Sequence, residues 1–377
     1  MQKNVEAMER TMESGNLSQS GFGVTNPVYN SLKEAKKVQT AYENRVRGNR
    51  ADNKTSEQVL DHTTRVNLLK MLNSGVLSDL NGIISTGKEA NVYYAKAGNK
   101  LEPEFQEGTE YAIKIYKTTL NEFKNRSEYI EGEFRFRHSK KVNERKLIKL
   151  WAEKEMRNLK RMMGSVNVPT PVLLRENILV MKFIGKEGWA APSLKDVPLT
   201  ESKASELYTE LCLMMRNLFQ KCKLVHADLS EYNILYHKGS LCFIDCSQSV
   251  EHDHPKAFEF LKNDVNVMSA FFTKRGLSGI LFPRELFEFI TDINIGDDTV
   301  EQHLAQLRET ALKREDRPLT EEESSKNTLF QNTFIPRTLS QIENPLDTDE
   351  NVDFHYSAAG LSSPAKSVVN KEEESDQ

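Results

Sequence analysis

The chain has 377 residues, of which 38% are hydrophobic and 28% charged, so composition predicts a soluble protein with one large domain or two small ones and polar tails. The net charge of −4 argues by itself for no particular partner, and the four cysteines lack the Cys-x-x-Cys spacing of a zinc site or a disulfide framework. The polar start, Met1–Ser20, is unlike a signal peptide, and no apolar run reaches the ~20 residues that span a bilayer. We therefore expect a cytoplasmic protein without a membrane partner, and shuttling through the nucleus is left open.

The first half of the chain is predicted to be rich in strands. Residues 1–55 are polar and predicted to be largely disordered. Apolar residues then recur with helical or alternating spacing. The predicted elements are helix Thr64–Leu77, strands within Ile83–Ala95, strand Glu110–Tyr116, a mobile insertion over 118–146, helix Leu147–Met163 and strand Ile178–Ile184.

The second half is predicted to be mostly helical. Its elements are helix Ser202–Lys221, short strands at Leu224–Val225, Ile234–Tyr236 and Leu241–Ile244, and helices Pro255–Phe272, Pro283–Thr291 and Val300–Lys313. Residues 314–377 are polar to acidic and predicted to be mostly disordered. This order predicts an α+β fold of two lobes with a cleft between them.

The first motif is the turn from Ser85 to Val92. Small residues in a strand–turn–strand segment let backbone N–H groups approach phosphate oxygens, as in the kinase glycine loop G-x-G-x-x-G-x-V. Gly87 and Val92 match that pattern, whereas Ser85 and Ala90 replace its outer glycines, and Lys88 lies between them. An ordinary β-hairpin turn is the competing interpretation.

The second motif is Lys114, which ends the apolar strand segment Tyr111–Lys114. Such a lysine becomes a phosphate ligand when a glutamate on a following helix fixes it. Glu153 and Glu155 are ~200° apart on that helix, so only one of them can face the site. We predict Glu155, because it shares a face with apolar Leu159; a solvated glutamate is the alternative.

The third and fourth motifs concern Asp228, Asn233 and Asp245. Asn233 follows Asp228 by five residues, as in the kinase catalytic loop, and Asp245 ends an apolar strand twelve residues after Asn233. Asp228 would accept or orient a hydroxyl proton, and Asn233 and Asp245 would hold a metal ion. Asp and Asn are also common turn formers, but the order and spacing of the four motifs favour the catalytic interpretation.

Several segments resemble the RIO family of atypical serine/threonine kinases. Those that carry the resemblance are Ser85–Tyr93 (STGKEANVY), Trp151–Leu159 (WAEKEMRNL), Val225–Leu235 (VHADLSEYNIL) and Ile244–Val250 (IDCSQSV), with Gly132–His138 and Phe334–Leu339 pointing to the Rio-one subfamily.

The resemblance implies a bilobal protein-kinase-like fold of the RIO type over residues 56–313. Its small β-rich N-lobe, with an extra N-terminal helix, would cover about 56–183, and its reduced helical C-lobe about 184–313. The implied activity is that of a serine/threonine kinase and ATPase using ATP and Mg²⁺, with Mn²⁺ left open. The implied role is late maturation of the small ribosomal subunit, with the pre-40S particle and its RNA as partners, and no DNA. RIO members are also associated with a phosphoaspartate, which here would form on Asp245.

Motif position also predicts an adenine site. Apolar residues from both lobes would enclose the base, with Met181 as gatekeeper and backbone groups of Lys182–Ile184 at its edge. The residues concerned are Ile84, Val92 and Ala112 above the base, Leu235 and Ile244 below it, and Phe183 and Ile184 beside it. Ordinary core packing is the alternative for each.

The chain departs from ordinary kinases in its catalytic loop and beyond it. Ala227 replaces the Arg of H-R-D, and Cys246 and Ser247 replace the last two residues of D-F-G. Because the peptide-docking elements are also missing from the sequence, the case for a peptide substrate is weaker than the case for ATP chemistry. A nucleotide-gated ribonucleoprotein scaffold and a small-molecule kinase stay open as alternatives.

The distribution of charge suggests contacts outside the nucleotide site. Phe134–Arg161 has eleven Lys or Arg against three Glu, with Phe134, Phe136 and Trp151 interleaved, which fits RNA contact by charge neutralisation and stacking. A solvated helix face is the alternative, and a general RNA-binding protein is a further candidate. We also expect autophosphorylation, with Ser127 and Ser139 as candidate acceptors.

Overall fold

The computed structural model describes residues 23–24, 60–98, 108–118, 144–315 and 320–332. These residues form two compact units. The first contains the described residues up to 118 together with residues 144–157 and Pro169–Ala191, and the second contains Asn158–Val168 and the described residues from Pro192 onward.

The first unit is built on a β-sheet. Five strands pair antiparallel, and a short strand is added parallel to β2 at the edge, which gives the order β1-β2-β3-β4-β6-β5. The strands are β1 (Gly23–Val24), β2 (Leu77–Thr86), β3 (Ala90–Ala97), β4 (Glu110–Tyr116), β5 (Pro171–Arg175) and β6 (Ile178–Lys182), and a hairpin of β7 (Gly185–Lys186) and β8 (Trp189–Ala190) follows. The predicted strands over 83–95, 110–116 and 178–184 are confirmed, whereas β5 and the β7–β8 hairpin were not predicted.

Helix α1 (His62–Asn73) packs on this sheet. The helix begins after Asp61, whose Oδ1 accepts the Thr64 N–H at 2.7 Å, as expected of an N-cap. It ends before Gly75, which has φ of 72°, and the chain then enters β2 at Leu77, so the prediction that the helix runs to Leu77 was wrong. The buried core of the unit comprises Leu68, Met71, Leu72, Val76, Leu77, Leu80, Tyr93, Ala95, Ala97, Tyr111, Ile113, Ile115, Ile178 and Val180.

Helix α2 (Glu144–Met162) confirms the predicted amphipathic helix. Its residues up to Arg157 belong to the first unit, and those from Asn158 belong to the second. Trp151, Ala152 and Leu159 of this helix are buried.

The second unit is mainly helical, with two small antiparallel strand pairs, β10–β11 and β9–β12. Its elements are the 3₁₀ helix η1 (Leu194–Asp196), α3 (Glu201–Gln220), β9 (Leu224–Val225), β10 (Ile234–His237), β11 (Ser240–Phe243), β12 (Val250–Glu251), α4 (Ala257–Lys274), α5 (Pro283–Thr291), α6 (Val300–Glu315) and α7 (Glu321–Asn332). The four helices predicted for this half are confirmed as α3 to α6. Among the described helices, none is both long enough and apolar enough to cross a membrane.

Helix α7 lies within the stretch that we predicted to be mostly disordered. Its sequence has only two large apolar residues, Leu329 and Phe330, so it shows no helical periodicity. Phe330 is nevertheless only 1% exposed, because its ring packs edge to face on Phe287 with a centroid distance of 5.4 Å. The Lys262 ammonium lies 5.4 Å from the same ring. This aromatic contact, together with the ion pair of Arg314 and Glu323 at 3.5 Å, holds a helix that the sequence pattern does not reveal.

Replacing Phe330 with Ala should detach α7. Burial of an aromatic ring contributes about 3 kcal/mol or more, so Phe330→Ala should lower the free energy of unfolding in urea by about that amount. The neighbouring Leu329, 38% exposed, is the control, and Leu329→Ala should change stability by about 0.5 kcal/mol at most. Equal losses in the two variants would show that Phe330 is not the anchor.

Candidate active site

Lys114 and Glu155 form a buried ion pair in the first unit. Strand β4 places Lys114 opposite Val92 of β3 and Leu179 of β6, in the middle of the sheet. Its Nζ lies 2.8 Å from Oε2 and 2.9 Å from Oε1 of Glu155, and the two side chains are 8% and 1% exposed. Such a pair is held rigidly, because either charge alone would be costly to bury.

The structure also resolves the choice between the two glutamates of α2. Glu153 lies on the surface and pairs with Arg157 at 3.8 Å, one turn further along the helix. Glu155 faces the sheet. The contact predicted between Lys114 and Glu155 is therefore present, and their role toward phosphate stays a prediction.

The turn between β2 and β3 carries the residues predicted to approach phosphate. The Gly87 N–H donates to the Ala90 carbonyl at 2.9 Å and closes the turn. A side chain at position 87 would bring its Cβ within 3.2 Å of that carbonyl, so glycine suits the position. Ser85 and Lys88 are exposed, whereas Ala90 is buried.

The first unit also contains most of the residues predicted to surround adenine. Met181 is buried and lies opposite Ala112 in the β4–β6 register, while Ile84, Val92 and Ala112 are half-buried. The N–H groups of Lys182 and Phe183 donate to Thr170 and Glu110 within the sheet, and the Ile184 carbonyl accepts from Ala191. Two of the backbone N–H groups proposed for the adenine edge are therefore already used within the first unit, and the proposal for Lys182–Ile184 stays a prediction.

The second unit brings Asp228, Asn233 and Asp245 together. The Asn233 Nδ2 donates to the Asp228 carbonyl at 2.8 Å and to its Oδ2 at 3.2 Å. The Ile244 N–H donates to the Asn233 carbonyl at 3.0 Å, which places the next residue, Asp245, beside the catalytic loop. Leu235 and Ile244, predicted to lie under the adenine, are half-buried in this unit.

Two residues that follow Asp245 were not predicted to contribute. The buried Ser247 hydroxyl donates to Asp245 Oδ1 at 3.0 Å, and the Gln248 amide donates to Asp228 Oδ2 at 3.4 Å. Ser247, which stands at the last position of D-F-G, thus contacts one carboxylate, and the next residue, Gln248, contacts the other. Spacing alone gives no signal for these contacts, because short polar residues after a strand are common turn formers.

Asp264 on α4 is a further residue that sequence reasoning missed. Its two carboxylate oxygens accept the backbone N–H groups of Ala227 and Leu229, both at 2.9 Å, so it holds the catalytic loop on either side of Asp228. Ala227 has φ of 67°, and this unusual backbone conformation needs such support. A sequence feature could have identified Asp264, because it is an acidic residue on an otherwise apolar helix face, and a buried carboxylate needs hydrogen-bond donors.

His226 ties the catalytic loop to the strand that precedes Asp245. Its Nε2 lies 3.1 Å from the Ile244 carbonyl, and its ring packs edge to face on Phe243. The Asn158 amide supports the following turn by donating to the carbonyls of Cys246 and Ser249, both at 3.0 Å. Loop and turn are therefore fixed by contacts within one unit.

The ligand chemistry of these residues fits magnesium. The described residues contain no cluster of three or more His, Cys, Asp or Glu side chains that could enclose a metal ion. The carboxylate of Asp245 and the amide oxygen of Asn233 are hard donors, and Mg²⁺ is typically bound by one or two such groups together with phosphate and water oxygens. The residues present fit a metal ion that arrives with a nucleotide.

The basic segment Phe134–Arg161 is described from residue 144 onward, and this described part does not favour stacking on RNA bases. Trp151 is 0% exposed, so its prediction as a stacking residue was wrong. Basic residues along the described part of α2 pair with carboxylates on the protein surface, namely Arg145 with Asp61, Lys149 with Glu176, Arg157 with Glu153 and Arg161 with Glu251. Phe134, Phe136, Ser127 and Ser139 lie outside the described residues.

The first unit contains a Lys–Glu pair, and the second contains Asp228, Asn233 and Asp245. Protein-kinase-like phosphotransferases use residues of these types in this order along the chain. The RIO domain model matches residues 91–284, about half of the chain. The chain belongs to the RIO family, which confirms the family resemblance.

Named relatives agree with this assignment. "Serine/threonine-protein kinase rio1" of Dictyostelium discoideum is 43% identical over 98% of this chain and 64% of its own length. "Serine/threonine-protein kinase RIO1" of Homo sapiens is 46% identical over 86% of this chain and 56% of its own, and "Serine/threonine-protein kinase RIO3" of Mus musculus is 45% identical over 78% and 57%. The chain thus spans between about half and two thirds of the length of these relatives.

Removing the charge of Glu155 should disable the site. Glu155→Gln leaves Lys114 buried against a neutral amide that cannot hold it in the same place, and misplacement by about 1 Å can cost about a hundredfold in rate. We therefore expect ATP turnover to fall by about a hundredfold. The control is Glu153→Gln, the same change two residues away on the surface, and it should leave turnover nearly unchanged. Equal effects would contradict the assignment of Glu155.

Asp264 should make stability depend on pH. Burial raises the pKa of Asp264 to about 7, and the Asp228 charge adds to this, while the two backbone donors act in the opposite direction. Because the folded pKa lies above the ordinary value of 3.8, the unfolded chain loses the proton first, and stability falls as pH rises from about 4 to 7.

The measurement is the melting temperature of the protein without nucleotide across this pH range. The wild type should lose stability relative to Asp264→Asn as pH rises to about 7, and the difference should then level off. The exposed Asp298 provides a control, since Asp298→Asn should leave the fall in stability with rising pH in place. A constant difference between wild type and Asp264→Asn would show that this carboxyl does not titrate there.

Proposed function

We propose that this chain is a Mg²⁺- and ATP-dependent serine/threonine kinase with ATPase activity. The observation that carries the proposal is the buried bidentate pair of Lys114 and Glu155, which fixes a cation in the middle of a sheet. The names of the relatives support the same activity. The proposed domain is the bilobal RIO-type kinase fold over 56–313.

The proposed roles follow from the contacts of each side chain. Lys114, held by Glu155, positions phosphate oxygens, while Asn233 and Asp245 would hold the metal ion. Mg²⁺ bound there would neutralise charge on the transferring phosphoryl group. Asp228, oriented through Oδ2 by the amides of Asn233 and Gln248, takes the proton of the attacking hydroxyl as that oxygen bonds to the γ-phosphorus and the bond to ADP breaks.

A second acceptor for the phosphoryl group is Asp245 itself. Its carboxylate oxygen would bond to the γ-phosphorus while the bond to the ADP oxygen breaks, and water would later hydrolyse the acyl phosphate. The Ser247 hydroxyl donates to Oδ1 and so distinguishes the two oxygens of this carboxylate. This route gives ATP hydrolysis without a peptide substrate, in keeping with the absence of peptide-docking motifs from the sequence.

We further propose, from family membership, that the activity serves late maturation of the small ribosomal subunit. The partner would be the pre-40S particle and its RNA, and the proposed location is the cytoplasm. The support is the similarity to proteins named RIO1 over most of this chain. Binding to the particle, rather than recognition of a peptide motif, would then stimulate ATP turnover.

The test is ATP turnover with Mg²⁺, with and without pre-40S particles, in wild type, Asp228→Asn and Asp245→Asn. Loss of a general base costs about a hundredfold or more, so Asp228→Asn should fall by at least about that factor. Asp245→Asn should lose turnover and also the acid-stable, hydroxylamine-labile phosphate adduct.

The surface variant Asp298→Asn serves as the control and should behave as the wild type. Full turnover in Asp228→Asn would contradict the catalytic assignment. Nucleotide binding without turnover in the wild type would favour a nucleotide-gated scaffold instead. An adduct that persists in Asp245→Asn would show that another residue accepts the phosphoryl group.

A further inference from the structure

Glu89 is the residue of the β2–β3 turn to which the motif assigns no role. Its carboxylate Oε2 accepts a hydrogen bond from the indole Nε1 of Trp151 at 3.2 Å. Trp151 lies on α2 and is 0% exposed. A buried indole N–H needs an acceptor, and a carboxylate is a stronger acceptor than a neutral oxygen. The turn is thus tied through a side chain to a helix distant from it in sequence.

Trp151 stands one turn before Glu155 on the same face of α2, since residues four apart are neighbours on a helix. The helix that Glu89 contacts is therefore the helix that holds Lys114. Lys154 is also buried, at 2% exposure, and its Nζ lies 5.3 Å from the Trp151 ring. The indole is thus enclosed between the turn and a charged, buried stretch of α2, and it has little freedom to move.

Backbone hydrogen bonds hold the same turn independently of the Glu89 side chain. The Gly87 N–H donates to the Ala90 carbonyl, and the Lys117 N–H donates to the Glu89 carbonyl, both at 2.9 Å. Glu89→Ala therefore keeps these backbone hydrogen bonds of the hairpin while it removes the side-chain contact with Trp151. This separation makes the role of the side chain testable without unfolding the sheet.

We propose that Glu89 is a positioning residue that latches the phosphate-approaching turn to helix α2 through Trp151. This contact would fix the position of the turn relative to the Lys114–Glu155 pair. The backbone N–H groups of the turn and the Lys114 ammonium would then bind the phosphates of the same nucleotide at a fixed distance from each other. The inference rests on the proposed function, because it assigns a role in ATP binding. A mere cap for the indole would stabilise the protein without changing how it binds nucleotide.

The first experiment needs no nucleotide. Trp151 and Trp189 are the two tryptophans of the chain, and Trp189 is 83% exposed. In a Trp189→Phe background, acrylamide quenching of fluorescence reports on Trp151 alone. We expect weak quenching in this background, a severalfold stronger quenching with Glu89→Ala, and weak quenching again with Glu89→Gln, whose amide oxygen can still accept. Unchanged quenching in Glu89→Ala would overturn the latch.

The second experiment measures KM for ATP and kcat in Glu89→Ala, Glu89→Gln, Trp151→Phe and the Glu89→Ala/Trp151→Phe double variant. Loss of one charge-assisted hydrogen bond corresponds to about tenfold, so KM should rise about tenfold in Glu89→Ala while kcat changes less. Because both single changes break the same bond, the double variant should be no worse than Trp151→Phe. Glu89→Gln should recover most of the loss.

Glu153→Ala is the matched control, since it removes a carboxylate from the surface of the same helix, and it should match the wild type. Additive effects in the double variant, or an unchanged KM in Glu89→Ala, would overturn this inference while an active wild type leaves the proposed function intact. A wild type that does not bind ATP would instead contradict the proposed function. Melting temperatures identify any variant that fails to fold, and Glu89→Gln then provides the deciding comparison.

Discussion

The first unit is organised by the requirement that two buried charges meet. Lys114 lies on a central strand and Glu155 on α2, and each would be costly to bury without the other. The ion pair therefore fixes the rotation of α2 about its axis and its position along β4. The same rotation turns Trp151 inward toward Glu89 and turns Glu153 outward toward Arg157. One electrostatic constraint thus places the Lys114–Glu155 pair, the contact of Trp151 with the turn and the solvated face of the helix.

The second unit uses a buried carboxylate for a different purpose. Asp264 accepts two backbone N–H groups and supports a loop that contains a residue with positive φ, Ala227. Asp245 also has positive φ, 59°, and the strand before it is held through His226. Strained backbone persists only where the surroundings over-determine it, and here the supporting groups come from α4 and from the loop itself. The two backbone hydrogen bonds offset part of the cost of burying Asp264, and they fix the backbone on either side of Asp228.

Sequence patterns predicted what depends on periodicity and spacing. The helices with strong apolar periodicity, the Asp228–Asn233 spacing and the choice of Glu155 over Glu153 follow from local geometry, and the structure contains the corresponding contacts. An acidic residue on an apolar helix face marks Asp264 as unusual, but which backbone N–H groups it accepts depends on the approach of a distant loop, and the contact of Ser247 with Asp245 depends on the conformation of a turn. Trp151 was mistaken for a stacking residue because a basic helix conceals which of its faces is buried. Helix α7 was missed because a single ring, Phe330, replaces a periodic apolar face.

The replacement of the H-R-D arginine by Ala227 bears on how such a site can be regulated. In ordinary kinases that arginine commonly ties the catalytic loop to a phosphorylated activation segment. Here Asp264 and His226 hold the loop from within its own unit, through contacts that do not involve a phosphate. Under the proposed function, the carboxylates of Asp228 and Asp245 are preorganised. Regulation of turnover would then act on the segments that contact the nucleotide. The turn at Glu89 is such a segment, because a side-chain hydrogen bond to Trp151 connects it to the helix that holds Lys114.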